Sequence, residues 1–230
     1  MDANQGARKH VTIHTDGGCD PNPGRGGYGV VLEYGTARKE ASGGFRRTTN
    51  NRMEILAAIV GLEMLKEPCR VTLYSDSQYL VHAMTKGWVA RWQKRNWWRT
   101  KDDRALNVDL WKRLVPLCEK HEVTFEWLRG HVGHRENERC DELASEALRG
   151  RGLPVDENYE NPRDEDLPPK PTAAEGEPCH KCGTPLVRRV SSKKPKGDYY
   201  YEYFLYCPTC RAAHVVESAK RPVEKEPTFL

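Results

Sequence analysis

A proline-rich acidic stretch between residues 154 and 178 sets the strongest limit on how this chain can fold. It contains six prolines, and eight acidic residues stand against two basic ones, with no periodic apolar pattern. Proline breaks helices, and a segment this polar lacks the apolar surface needed to offset the entropy of folding. The sequence therefore predicts two folded parts joined by a linker, rather than one core of 230 residues.

The domain boundaries follow from this composition. We expect a first domain at residues 8–150, a linker at 151–176, a small module at 177–218 and a polar tail at 219–230. No apolar stretch approaches the ~20 residues that a membrane span needs. The N-terminus also lacks the apolar core of a secretory signal. We therefore expect a cytoplasmic monomer that does not associate with membranes.

Strands and helices alternate along the first domain. HVTIHTD predicts a strand that ends at a GG turn, and GYGVVLEYG and residues 38–45 complete an antiparallel meander. After TTNN, apolar residues at mixed three and four spacing predict a helix that Thr49 or Asn50 could cap. RVTLYSD and VTFEWLRG predict two further strands among helices. The expected class is α/β, with a five-stranded mixed sheet flanked by helices.

Four acidic residues stand where such a fold places ligand sites. Asp16 and Asp76 each follow an apolar strand, Glu54 lies in the first turns of a predicted helix, and Asp141 opens the last helix. Taken singly, each acid is equally well a turn, cap or surface residue. Together they would repel one another unless cations lay among them. Such a cluster suits two divalent ions that act on a phosphodiester.

Five segments carry a more specific signal, and together they resemble ribonuclease H type 1 over residues 9–149. They are TDGGCDPNPGRGGYG, TTNNRMEILAAI, YSDSQYL, NVDLWKRL and GHVGHRENERCDELA. The resemblance implies the ribonuclease H-like fold and an endonuclease that cuts the RNA strand of an RNA–DNA hybrid. It also implies two Mg²⁺ or Mn²⁺ ions per site, and products with 5′-phosphate and 3′-hydroxyl ends.

The same resemblance assigns the site residues. It implies Asp16, Glu54, Asp76 and Asp141 as catalytic metal ligands, and His131 as the residue that assists proton transfer or product release. Contacts with sugars and base edges are implied for Cys19, Asn22, Asn51 and Gln78, and a grip on a DNA-strand phosphate for Arg47, Thr49 and Asn107. Cys19 could instead be a small buried residue, and Arg47 a solvated surface residue.

A basic segment at residues 86–104 holds seven basic and two acidic residues together with four tryptophans. Basic side chains attract phosphates, and indole rings can stack on sugars or anchor the segment. It is similar to the protrusion with which many ribonucleases H of this type bind the DNA strand. In the alternative interpretation the tryptophans pack while the cations are solvated. The candidate residues are Trp88, Arg91, Trp92, Lys94 and Arg95.

The C-terminal module carries two CxxC pairs separated by 24 residues, which are Cys179, Cys182, Cys207 and Cys210. Four thiolates at this spacing predict one structural Zn²⁺ in a zinc ribbon. Redox thiols or an empty, degenerate site are the alternatives. The tyrosine-rich basic stretch between the pairs could bind nucleic acid or dock a protein.

Two other functions are compatible with parts of this pattern. A non-catalytic hybrid-binding protein on the same fold would not need all four acids, which this chain has. A DNA-cutting nuclease or resolvase with the same sheet would lack the TTNNRME and GHVGH segments. We therefore expect a metal-dependent ribonuclease whose partner is an RNA–DNA hybrid.

Overall fold

The computed structural model describes residues 8–100, 103–130, 133–162, 174–179, 181–191 and 199–223. It divides into two compact units. The first comprises residues 1–93 and 104–168, and the second comprises residues 94–103 and 169–230. Among the helices of the described residues, none has the length and apolar character needed to cross a bilayer.

The first unit contains one five-stranded mixed sheet, which confirms the predicted class. Its strands are β1 (His10–Asp20), β2 (Gly24–Tyr34), β3 (Ala37–Thr48), β4 (Arg70–Ser75) and β5 (Glu122–Trp127). They lie in the order β3-β2-β1-β4-β5. The pairs β3–β2 and β2–β1 are antiparallel, whereas β1–β4 and β4–β5 are parallel.

Helices connect and flank these strands. They are α1 (Asn50–Glu63), α2 (Gln78–Thr85), α3 (Trp88–Lys94), α4 (Val108–Lys120), α5 (Arg135–Leu148) and the single turn α6 (Glu157–Glu160). Helix α1 is the central core element, because Ile55, Ile59 and Leu62 are fully buried. It packs against β1 and β2 and also against α4. Thr49 occupies its N-cap position without a side-chain cap bond.

The predicted turn at Gly17 and Gly18 is wrong, because β1 runs through both glycines to Asp20. Gly17 is required for close packing instead. A Cβ atom built on it would lie 2.4 Å from the backbone nitrogen of Glu54 in α1. The small residue thus lets α1 approach β1 at the level of the candidate acids.

Helix α5 approaches the sheet in the same way. A Cβ atom on Gly29 of β2 would lie 2.1 Å from the carbonyl oxygen of Cys140 in α5. Gly29 is the strand neighbour of Tyr28, which pairs with Gly17. Successive residues of a strand face opposite sides of the sheet. Helices α1 and α5 therefore pack on opposite faces.

The start of the predicted linker belongs to the first unit, which corrects the boundary at residue 150. Asp156 is only 5% exposed. The backbone N–H of Arg46 donates to the carbonyl of Pro154 at 2.9 Å, and α6 follows directly. Proline and acidic content alone suggested an extended segment. The buried guanidinium of Arg52, however, donates hydrogen bonds to Asp156 and so attaches the segment.

The second unit contains short strands. Strands β6 (Val187–Val190), β8 (Tyr203–Tyr206) and β9 (Ala213–Val215) form an antiparallel sheet in the order β6-β8-β9. Strands β7 (Tyr199–Tyr201) and β10 (Lys220–Pro222) form a separate antiparallel pair. Because β10 lies in the predicted polar tail, the folded module extends beyond residue 218.

Candidate active site and metal clusters

Strand register places Asp16 beside Asp76. Thr15 of β1 pairs with Ser75, the last residue of β4, so the two aspartates follow on adjacent parallel strands. The indole N–H of Trp127 donates to the backbone carbonyl of Asp76 at 3.0 Å. The backbone therefore holds both carboxylates at the point where the parallel pairing of β1 with β4 ends.

Helix α1 adds Glu54 to this pair. One carboxylate oxygen from each of Asp16, Glu54 and Asp76 lies within 4.8 Å of the other two. The Oε2 atom of Glu54 is buried and has no hydrogen-bond partner among the described residues. A buried carboxylate oxygen without a donor is costly unless a cation coordinates it.

The electrostatics of Glu54 agree with this geometry. Burial raises the pKa of its carboxyl well above the usual range, and the charges of Asp16 and Asp76 raise it further, while a hydrogen bond with Ser75 opposes the shift. A divalent ion would relieve both causes, because it replaces lost solvation and neutralises the neighbouring charges. The three carboxylates therefore fit a divalent cation.

Asp141 does not join this cluster in the part of the chain that the structure describes. Among the described residues, the group of acids within 4.8 Å of one another consists of the three just named. Asp141 is half-buried in α5. The thiol of its neighbour Cys140 donates to the carbonyl of His14 at 3.2 Å, two residues before Asp16. This turn of α5 is thereby held against β1.

His131 lies outside the described residues. The residue before it, Gly130, lies against the acidic cluster. A Cβ atom on Gly130 would lie 2.6 Å from Oδ2 of Asp76. The loop that contains His131 therefore starts beside one of the candidate metal ligands. His134, at the start of α5, is exposed.

The loop between β1 and β2 is tied to the start of α1. The Cys19 thiol donates to the carbonyls of Gly24 at 3.2 Å and Thr48 at 3.3 Å. The Asn22 side-chain oxygen accepts from the backbone N–H of Asn50 at 3.3 Å. Cys19 thus has a structural role here, and Asn22 helps to hold the first turn of α1 beside the loop.

Sequence reasoning missed Arg52, which organises the predicted phosphate-binding residues. It is 4% exposed, and its guanidinium donates two hydrogen bonds to the Asp109 carboxylate at 2.7 and 2.9 Å. Asp109 lies in the first turn of α4, where Asn107 is the N-cap. Arg52 thereby holds the N-cap of α4 close to that of α1, where Thr49 stands. A cation directly before the apolar run MEILAAI was the available signal, since a buried charge needs partners.

Three other predicted contact residues offer side chains to solvent. Arg47, Asn51 and Gln78 are all exposed. Arg47 lies at the end of β3, Asn51 in the first turn of α1 and Gln78 at the start of α2. Asn51 lies three residues before Glu54, and Gln78 lies two residues after Asp76.

In the basic segment, tryptophans pack and cations reach solvent. Trp92 is 8% exposed, and its ring centre lies 6.4 Å from that of Trp88 and 6.1 Å from that of Trp111. Arg91 and Lys94 are exposed. Arg95 is half-buried and donates to the carbonyl of Arg99 at 3.2 Å. Trp92 therefore anchors helix α3 in the core, while Arg91 and Lys94 of the same helix are exposed to solvent.

The four C-terminal cysteines converge in the second unit. Their sulfur atoms all lie within 4.8 Å of one another. The Cys179–Cys210 pair is separated by 3.6 Å and the Cys182–Cys207 pair by 3.3 Å. A tetrahedral site with Zn–S bonds of about 2.3 Å requires sulfur separations of roughly 3.8 Å. The cluster is close to that size.

The backbone around the cysteines supports the same assignment. In both CxxC turns the next residue, Gly183 or Arg211, has a positive φ and donates its N–H to the carbonyl of the first cysteine. Hydrogen bonds of Thr184, with a contribution from Cys207, lower the pKa of Cys182 to about 6. The pKa of Cys210 is raised instead, because a backbone hydrogen bond at Ala212, which lowers it, is outweighed by burial and by hydrogen bonds with the other three cysteines. The geometry therefore fits two zinc knuckles around one ion.

Comparisons with known proteins agree with the geometry. The family model described as RNase H matches residues 8–149. The chain is 60% identical over 152 residues to a protein named Ribonuclease H from Syntrophus aciditrophicus (strain SB), covering 66% of this chain and 88% of that protein. It is 58% identical over 157 residues to another of that name from Desulforamulus reducens (strain ATCC BAA-1160 / DSM 100696 / MI-1), covering 68% and 99%.

Among solved structures, the chain is similar to LC9-RNase H1, described as a type 1 RNase H with the type 2 active-site motif. The TM-score is 0.58 at 25% identity, and the match covers 84% of this chain and 100% of that one.

Proposed function

The chain belongs to the RNase H family, and we propose that it is an endonuclease that hydrolyses the RNA strand of RNA–DNA hybrids with two divalent ions. The products would carry 5′-phosphate and 3′-hydroxyl ends. The observation that carries this proposal is the convergence of Asp16, Glu54 and Asp76, with a buried Glu54 oxygen that lacks a donor among the described residues.

Two further residues complete the proposed site. Asp141 would join the three acids as a ligand when the ions are bound, which is supported by the contact of its helical turn with β1. His131 would move a proton at the attacking water or the leaving group, because an imidazole titrates near neutral pH. When bound, Mg²⁺ or Mn²⁺ supplies Lewis acidity at the attacking and leaving oxygens.

We propose that recognition of the hybrid relies on backbone shape and 2′-hydroxyls. Arg52 holds Thr49 and Asn107 so that, with Arg47, they grip a DNA-strand phosphate. Asn22, Asn51 and Gln78 contact sugars and base edges, with Cys19 shaping their loop. Arg91, Lys94 and Arg95 attract the DNA strand, and Trp88 and Trp92 anchor them.

Substrate specificity tests the proposal. Labelled RNA–DNA hybrid, RNA duplex and DNA duplex would each be incubated with the full chain, in Mg²⁺ and in chelator. We expect cleavage of the RNA strand of the hybrid only, and only with metal. Equal cutting of DNA duplex, or hybrid cleavage in chelator, would contradict the proposal.

The C-terminal module is proposed to fold around one structural Zn²⁺ held by the four cysteines. The closed Cys₄ set leaves no position for substrate, so this ion would not take part in the cleavage. None of the eight cysteines forms a disulfide, which suits a reducing, cytoplasmic location, and we propose a monomer there.

A role for this module in hybrid binding is also proposed. Removing residues 163–230 should leave cleavage intact and weaken hybrid binding in a salt-dependent way. This truncation keeps Asp156, which a cut at residue 150 would remove together with its contacts to the first unit. Binding that is unchanged across salt concentrations would favour a protein partner for the module.

A further inference from the structure

Four arginines line one cavity of the first unit. The cavity has a volume of about 680 Å³, and the residues that line it are Arg25, Arg46, Arg149, Gly150, Arg151, Gly152 and Leu153. None of the side chains that line it is acidic. No function described above uses this cavity.

Arg25 lines the cavity, and its side-chain hydrogen bonds to the described residues go to backbone carbonyls and not to a carboxylate. Its Nε donates to the carbonyl of Leu148 at 2.9 Å, and its Nη2 donates to the carbonyl of Gly150. Leu148 is the last residue of α5 and Gly150 lies just beyond it, at the end of the helix where the dipole is negative. Arg25 therefore fixes the turn that carries Arg149 and Arg151 and offsets that dipole.

Arg46 is the one lining arginine with a carboxylate partner among the described residues. Its Nε and Nη2 donate to Glu160 at 2.9 to 3.2 Å. Arg149 and Arg151 are exposed, and neither makes an ion pair with a described residue. Four guanidinium groups thus face one neutralising carboxylate. Like charges that converge in a concave site favour an anion between them.

We propose that this cavity binds phosphate groups. The planar guanidinium forms paired hydrogen bonds that match phosphate oxygens, which makes a cluster of arginines a suitable phosphate site. The cavity also lies at the end of the sheet that carries the proposed substrate loop. Arg25 pairs with Asp20 across β1 and β2, and Arg46 precedes Arg47 in β3.

The phosphates are assigned to the backbone of the hybrid beyond the proposed cleft contacts. The choice of the hybrid as the molecule that supplies these phosphates rests on the proposed function. The existence of a phosphate-binding site in the cavity does not. Small phosphate anions are the other source of the same chemistry, and the experiment separates the two.

The test uses the full-length double variant Arg149→Ala/Arg151→Ala. Lys66→Ala/Lys112→Ala is the matched control, because it removes two positive charges from exposed positions of the same unit. Fluorescence anisotropy with labelled hybrid in chelator measures binding without cleavage. We expect affinity to fall about five- to tenfold at low salt, and the slope of log K against log salt to fall by about one to two. The control should keep the wild-type slope.

A second arm measures the shift of thermal unfolding by pyrophosphate for the same proteins. Loss of the pyrophosphate shift together with weaker hybrid binding supports the proposal in full. Loss of that shift alone keeps the phosphate site but rejects the hybrid as its ligand. If both measurements match the wild type, the proposal is overturned. Because neither arm requires cleavage, failure of the proposed nuclease activity would be seen separately.

Discussion

The buried guanidinium of Arg52 donates two hydrogen bonds, each of 2.7 Å, to the carboxylate of Asp156, which lies 104 residues later in the chain. Thr48 donates to the same carboxylate at 2.7 Å. Asp156 is thereby the point at which the segment after α5 is attached to the first unit. The remaining N–H groups of Arg52 reach Asp109, so one cation joins α1, α4 and this segment.

Replacing Asp156 by Asn should therefore destabilise the first unit. The change leaves Arg52 buried with half of its charge compensation, and loss of one partner of a buried pair costs about 3 kcal/mol or more. Urea unfolding followed by tryptophan fluorescence measures this cost, because four of the six tryptophans, Trp88, Trp92, Trp111 and Trp127, lie in the first unit.

Glu63→Gln is the matched control for that variant. It breaks the exposed pair with Arg113, in which both side chains are at least 40% exposed. Such pairs contribute about 1 kcal/mol or less. Equal losses in the two variants would show that Arg52 and Asp156 do not form a buried pair in solution.

Removal of zinc should affect the two units differently. Cys182→Ser should reduce bound zinc from one ion per chain to none and expose the second unit to proteolysis, because such modules fold only around their metal. Hybrid cleavage should persist, since the acids lie in the first unit. Metal analysis, limited proteolysis and a cleavage assay check this. Cys118→Ser, in α4, should retain zinc, and zinc retained by Cys182→Ser would refute the Cys₄ assignment.

The exposed cations of α3 should contribute to affinity and not to the chemical step. Arg91→Ala/Lys94→Ala should weaken hybrid binding and lower the salt slope by about two, because each phosphate contact releases about one counterion. The rate at saturating hybrid should stay at the wild-type value. Trp92→Ala should instead lower the free energy of unfolding by about 3 kcal/mol or more, since it empties a buried site. A wild-type salt slope in the double variant would exclude α3 from the interface.

The buried His121 predicts a pH dependence of stability. It is 2% exposed, its Nδ1 accepts from the backbone N–H of Cys69 at 3.2 Å, and burial lowers its pKa. The unfolded chain therefore takes up a proton at higher pH than the folded one. The free energy of unfolding should fall as pH decreases from about 6.5 towards the lower pKa of the folded state.

The variant His121→Gln tests this dependence by urea unfolding between about pH 5 and pH 8. Its stability should vary less with pH over the lower part of that range than the stability of the wild type. His10→Gln should keep the wild-type dependence, because it leaves His121 in place. If the stability of His121→Gln depends on pH as that of the wild type does, other groups cause the loss of stability at low pH.

Local patterns were sufficient to predict the sheet. Four acids were expected to meet, and the structure brings three of them, Asp16, Glu54 and Asp76, within 4.8 Å of one another. Asp16 and Asp76 each follow a short apolar strand, and the parallel register of β1 and β4 places them side by side. Glu54 could be assigned because it interrupts an apolar helix. These features depend on residues close in sequence or on the common edge of parallel strands.

Features that depend on distant pairs could not be predicted. The composition around Asp156 indicated a linker, and only the buried Arg52 explains why the segment packs. Gly17 suggested a turn, although it is needed because only a residue without a side chain lets α1 pack this close to β1. The arginine cavity likewise combines residues of β2, β3 and the end of α5, which no local pattern connects.

Single-turnover cleavage of the RNA strand by wild type, Asp76→Asn and Glu126→Gln tests the central claim most directly. Glu126 is exposed on the neighbouring strand β5 and undergoes the same loss of charge. If the acids near Asp76 hold the catalytic ions, Asp76→Asn should slow cleavage at least about a thousandfold, while Glu126→Gln should cleave at the wild-type rate. A rate for Asp76→Asn within about tenfold of wild type would contradict the account.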